Sequence, residues 1–110
     1  MSTMSNGQPI RILCVDDHHL VRDGLVLIIN RQPDLRVVAT AATGEQAVSL
    51  FQEHRPDVAV VDLQLPTMSG LEAVRLIRAR TPDARIIVLT VRDDDESIYQ
   101  ALQADRKSVV

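Results

Sequence analysis

Four short apolar, β-branched runs separated by amphipathic stretches constrain this chain more than anything else in it. Ile12-Leu13-Cys14-Val15, Val58-Ala59-Val60-Val61 and Ile86-Ile87-Val88-Leu89 are nearly continuous apolar runs too short to be helices, and Leu35 to Ala41, with Val37 and Val38, reads as a further strand. Between them the apolar period lengthens to that of a helix. Val21, Leu25, Ile28 and Ile29 share one face of a segment over 18–32, Ala47, Leu50 and Phe51 one face of a segment ending at His54, and Leu71, Val74 and Ile77 one face of a segment ending at Arg80. Thr43 with Gln46 and Ser69 with Glu72 have capping-box spacing and mark two of the helix starts, while Pro33-Asp34, Pro56-Asp57 and Thr81-Pro82-Asp83 break the chain between elements. Strand and helix that alternate in this way call for a parallel sheet with right-handed crossovers and helices on both faces. The fold class expected is therefore α/β.

One domain fills the 110 residues, for which no second core is available. A formal charge of −3, with basic residues scattered instead of striped, argues against binding nucleic acid through phosphate contacts. Cys14 is the sole cysteine, so no internal disulfide can form, and its position inside an apolar run predicts a buried, inert thiol. Residues 1–9 read as a disordered polar segment with neither the apolar core of a signal peptide nor that of an anchor, and no other stretch approaches a membrane span. A cytoplasmic location is the expectation that follows.

Carboxylates stand where strands hand over to loops: Asp16 and Asp17 after the first run, Asp62 after the third. In a flavodoxin-like strand order of 2-1-3-4-5 the first, third and fourth strands are neighbours, so Asp17, Asp62 and Thr90 line up along the carboxyl edge, where open α/β sheets bind ligands. Several carboxylates close together raise one another's pKa unless they share a cation, and oxygen-only ligation suits Mg²⁺ better than zinc. The histidines have no zinc spacing and no cysteine partner, so His18 is read as a loop residue, His19 as a helix-start residue and His54 as a helix-end residue.

The stretches Val15-Asp16-Asp17-His18-His19-Leu20-Val21-Arg22-Asp23-Gly24-Leu25 and Val61-Asp62-Leu63-Gln64-Leu65-Pro66-Thr67-Met68-Ser69-Gly70, followed at the expected distance by Leu89-Thr90, closely resemble the receiver domain of two-component response regulators. The Asp-Asp-His and Arg-x-Gly-Leu portion is similar to the NarL/FixJ-type transcription factors. The resemblance covers about residues 10 to 104 and implies a CheY-like fold, with 10–110 as the receiver domain. It implies Asp62 as phosphoacceptor, Asp17 as a direct Mg²⁺ ligand, Asp16 as a ligand through water, the backbone carbonyl of Gln64 as a further ligand, and Thr90 as the switch hydroxyl. A sensor histidine kinase would be the phosphate donor, and a transcriptional output domain, not present in the segment, would be the effector. Such a domain is a signalling switch and not an enzyme.

Receivers of this type continue into a fifth strand with an aromatic switch residue and a lysine, then a fifth helix. Here the chain ends within the expected fifth strand, Val109 falls near the aromatic position, and Lys107 comes about five residues too early, some 16 Å along an extended strand. With the fifth strand incomplete and the fifth helix absent, about four apolar side chains would lose cover, at roughly 1.5 to 3 kcal/mol each. A homodimer with exchanged C-terminal elements is expected to restore that cover. Two other readings compete. A Mg²⁺-dependent aspartyl-phosphate phosphatase would need an acid two positions after the nucleophile, where Gln64 stands. A phosphorylation-independent interaction module would leave the Thr90 loop unmoved by a phosphate mimic.

Overall fold

In the computed structural model, which describes residues 8–89, the chain runs β1 (Ile10–Val15), α1 (His19–Asn30), β2 (Leu35–Ala41), α2 (Gly44–His54), β3 (Val58–Asp62), α3 (Gly70–Arg80) and β4 (Ile86–Leu89). The four strands form one parallel sheet in the order β2-β1-β3-β4. That is the described part of the 2-1-3-4-5 order and confirms the α/β, CheY-like class. The expected fifth strand, Thr90 and the last helix that the sequence suggests, entered through Arg92 to Glu96 and bearing Ile98, Ala101 and Leu102, lie outside the described residues, as do residues 1–7 of the N-terminal segment.

Alternate side chains of the strands face opposite layers, because a strand repeats every two residues. Leu13, Val15, Ala59, Val61 and Ile86 point into one core with Ala47 and Phe51 of α2 and Val74 and Ile77 of α3. Ile12, Cys14 and Val60 point the other way, toward Leu25 and Ile29 of α1. The first layer is the tighter one. Every one of its strand and helix residues named here is at most 2% exposed, whereas α1 buries no residue completely and leaves Leu20, Leu27 and Ile28 exposed. Among the described residues, α1 is thus apolar on more of its circumference than the sheet can cover.

Both expected capping sites operate. Thr43 Oγ1 accepts from the Gln46 amide and Ser69 Oγ from the Glu72 amide, each satisfying an N–H that the first turn leaves without a partner. The return arm of the first box reaches one residue further back than usual, since Gln46 Oε1 accepts from the Ala42 amide. Helix α1 ends at Asn30, two residues before the expected Gln32: the Arg31 and Gln32 amides bond only three residues back, to Ile28 and Ile29, which tightens the last turn, and the Asn30 side chain accepts the Val37 amide of β2. This contact also blunts an exposed edge, β2 having a neighbour only on its β1 side among the described residues.

Cys14 is fully buried, and burial with the nearby Asp16 charge pushes its thiol up to about 11. Native protein at neutral pH is therefore expected to resist thiol reagents and to react only as fast as it opens, a rate that iodoacetamide labelling with and without denaturant would measure. Labelling of the folded protein as fast as of a free thiol would contradict this placement.

Candidate functional site

Parallel strands end at the same edge, and here the sheet delivers acidic side chains to it. Val15 pairs with Val61 across β1 and β3, so Asp16 and Asp17 leave the sheet directly beside Asp62, the last residue of β3. Asp16 and Asp62 are each only 6% exposed, the only charged residues buried to that degree among the described residues. Such burial is costly for a carboxylate without a charged or hydrogen-bonding partner.

The loops are tied so that the carboxylates stay together. The Asp16 amide donates to the Ala41 carbonyl at 3.0 Å, its Oδ1 accepts the His18 amide at 2.8 Å, and Arg22 donates to its carbonyl at 2.9 Å. After β3, the Leu63 amide donates to the Leu89 carbonyl and the Gln64 amide to Asp62 Oδ1 at 3.3 Å. Thr67 holds a left-handed φ of 60°, rare for a β-branched residue, and its hydroxyl lies 3.1 Å from both Glu45 oxygens at the start of α2. The loop after Asp62 is anchored at both ends: to the sheet by Leu63 and to α2 by Thr67.

His18 is the residue that sequence reasoning left out of the site. It occupies the loop position expected, as the residue before α1, but its ring faces the carboxylates instead of solvent alone: Nδ1 lies 3.1 Å from Asp16, 3.2 Å from Asp17 and 3.8 Å from Asp62. One oxygen from each of the three aspartates and a nitrogen of His18 all fall within 4.8 Å of one another. The adjacent Asp16-Asp17-His18 gave a signal for the turn, since an Asp that accepts the amide two residues on folds the backbone back, but not for the direction of the ring. His19 faces elsewhere, with Nε2 3.3 Å from Asp23 along α1, and His54 closes α2. Thr90 lies outside the described residues.

The electrostatics follow from this crowding. The hydrogen bond to Asp16 and the charge of Asp17 raise the pKa of His18, while burial, reinforced by Asp16 and Asp17 and opposed by the Gln64 amide, raises that of Asp62. The stabilisation from His18 is present below the ordinary imidazole value and is lost as pH rises through its raised value. Asp62 acts in the same direction, because its destabilising charge disappears as pH falls through its own raised value. The metal-free protein, kept in chelator, should thus melt at a higher temperature at about pH 6 than at about pH 8, with His18→Ala reducing the difference. A midpoint that drops on acidification over that range would contradict the placement of His18.

Residues 12–110 match the response regulator receiver domain family. The chain belongs to that family. It is 41% identical over 99 residues to the transcriptional regulatory protein YhcZ of Bacillus subtilis, covering 90% of this chain and 46% of YhcZ. It is 38% identical over 100 residues to the nitrate/nitrite response regulator NarL of Escherichia coli K12, covering 91% of this chain and 46% of NarL. The receiver thus spans about half the length of the curated relatives it matches. Among solved structures, it superimposes with a TM-score of 0.85 on a LuxR-family two-component response regulator from Aurantimonas sp. SI85-9A1, at 38% identity, covering 93% of this chain and 73% of the other. A chain of the CheX-CheY-BeF3-Mg²⁺ complex from Borrelia burgdorferi is similar at 25% identity and a TM-score of 0.83, covering 94% and 78%. No helix among the described residues is long and apolar enough to cross a membrane.

Proposed function

We propose that this receiver accepts a phosphoryl group on Asp62 from a sensor histidine kinase, with Mg²⁺ held by the acidic pocket, and passes the change on to a transcriptional output domain. The observation that carries this reading is the convergence of Asp16, Asp17 and Asp62 from two neighbouring strand ends within 4.8 Å, with a hard-oxygen donor set. Bound there, Mg²⁺ would neutralise charge on the phosphoryl oxygens.

The protein's own groups divide the work. Asp62 supplies the nucleophile: one of its oxygens bonds to phosphorus in line, the bond from phosphorus to the donor's nitrogen breaks, and an acyl phosphate remains on the side chain. Its Oδ1 is steered by the Gln64 amide, which leaves Oδ2 directed at the shared centre. Asp16 keeps Oδ1 engaged with the His18 amide and is nearly buried, which suits a ligand acting through water, whereas the more open Asp17 suits direct ligation. The Gln64 carbonyl is the proposed third ligand, on the loop that Thr67 and Glu45 anchor. Thr90 is the proposed switch hydroxyl. No further acid follows Asp62 at Gln64, which supports a switch over a phosphatase.

The reading extends to a cytoplasmic protein that forms a homodimer. The exposed Leu20, Leu27 and Ile28 of α1 support a second copy as the cover for that face. Light scattering of a stable monomer at micromolar concentration would count against the dimer. Exchange of C-terminal elements falls on residues outside those described.

Acetyl phosphate tests the phosphoacceptor. With Mg²⁺ the chain should gain one phosphoryl group, and Asp62→Asn should gain none. Equal labelling of the variant would remove Asp62 from its role.

A further inference from the structure

Resting on the reading of the acidic pocket as a divalent-cation site, we propose that His18 is an additional ligand through Nδ1, giving the pocket a nitrogen donor for first-row transition cations that Mg²⁺ does not need. The argument is geometric. In an octahedral site with metal–ligand bonds of about 2.1 Å, adjacent donor atoms stand about 3 Å apart and opposite ones about 4.2 Å apart. His18 Nδ1 is 3.2 Å from Asp17 Oδ1, the spacing of adjacent ligands, 3.8 Å from Asp62 Oδ2, between the two limits, and 3.1 Å from its hydrogen-bond partner Asp16 Oδ1. The four donor atoms share one 4.8 Å cluster, as atoms around a single ion must.

The ring is also held where it is needed. His18 has extended backbone geometry immediately before α1, its amide is fixed to Asp16 Oδ1, and its Nδ1 hydrogen-bonds the same oxygen, a proton-mediated contact that a cation in the pocket would replace. Neither other histidine is placed to substitute, since His19 Nε2 faces Asp23 and His54 ends α2. Imidazole nitrogen is a favoured donor for Ni²⁺, Co²⁺ and Cu²⁺, whereas Mg²⁺ takes oxygen and retains water. One pocket would therefore hold Mg²⁺ through oxygen donors alone and a transition cation through the same oxygens plus His18.

Calorimetric titration of the untagged full chain with Ni²⁺ and with Mg²⁺ tests this. His18→Ala should weaken Ni²⁺ binding by at least about tenfold, since losing only a supporting partner of a metal-bound imidazole already costs that much, and should change Mg²⁺ binding by less than about threefold. His19→Ala should change neither. Pulsed electron paramagnetic resonance of the Cu²⁺-loaded protein should show a coupled imidazole nitrogen in the unmodified chain and not in His18→Ala. Unchanged Ni²⁺ affinity in His18→Ala, or an equal loss for both metals, would overturn the proposal. Mg²⁺ binding that is absent, or indifferent to Asp17→Asn, would instead defeat the underlying assignment of the pocket.

Discussion

Gly70→Ala is expected to unfold or severely loosen the domain, the largest effect of a Gly→Ala change among Gly24, Gly44 and Gly70. A Cβ at Gly70 would stand 2.2 Å from the Asp62 carbonyl oxygen, 2.9 Å from Leu63 Cα and 3.0 Å from the Leu63 carbonyl oxygen. All three are backbone atoms, and the Gly70 amide donates to that same Leu63 carbonyl at 2.9 Å, so relief requires pulling α3 away from the end of β3. Overpacking that cannot be absorbed by a side chain costs about 3 kcal/mol or more, a large part of the 5–15 kcal/mol that typically holds a domain together. Gly44→Ala is the control, because its new methyl would meet the flexible Met68 side chain, 2.7 Å away at Sδ. Urea denaturation should show a loss several times larger at Gly70 than at Gly44. Equal and small losses would mean that α3 does not approach β3 this closely.

Asp17→Asn is expected to weaken Mg²⁺ binding by at least about tenfold and to slow phosphoryl capture in parallel, since it removes a charged direct ligand. Asp16→Asn should do less. Its amide oxygen can still accept from the His18 amide and so preserve the turn, and Asp16 is assigned to act through water. Removing either charge also relieves repulsion on buried Asp62, whose raised pKa is due in part to these neighbours. The metal-free variants should accordingly be no less stable than the parent, while Mg²⁺ should stabilise the parent most. Calorimetry and thermal melts with and without Mg²⁺ separate the two effects. An Asp17→Asn protein that binds Mg²⁺ as tightly as its parent would contradict the division of roles.

Much of this was legible before any coordinates, for identifiable reasons. Buried parallel strands write themselves as short β-branched runs, and all four appear where those runs stand, with Leu35–Ala41 and Ile86–Leu89 matching to the residue. Thr43 and Ser69 cap as their spacing predicts, because an N-cap is a local interaction. What the sequence concealed depends on contacts between distant segments. The last residue of α1 is tied to β2 by the Asn30–Val37 bond, and the loop after Asp62 is braced by a Thr67–Glu45 contact 22 residues apart. The carboxylate trio was readable because strand order places it. The direction of the His18 ring was not, because it depends on a side-chain rotation that no periodicity encodes.

Chemical mapping of the phosphoryl group tests the central claim most directly. After acetyl phosphate treatment with Mg²⁺, borohydride reduction converts an aspartyl phosphate to homoserine, which peptide mass spectrometry locates. The account predicts homoserine at position 62 alone, formed with Mg²⁺ and not in chelator. Modification at Asp16 or Asp17 instead, or at Asp62 regardless of Mg²⁺, would contradict it.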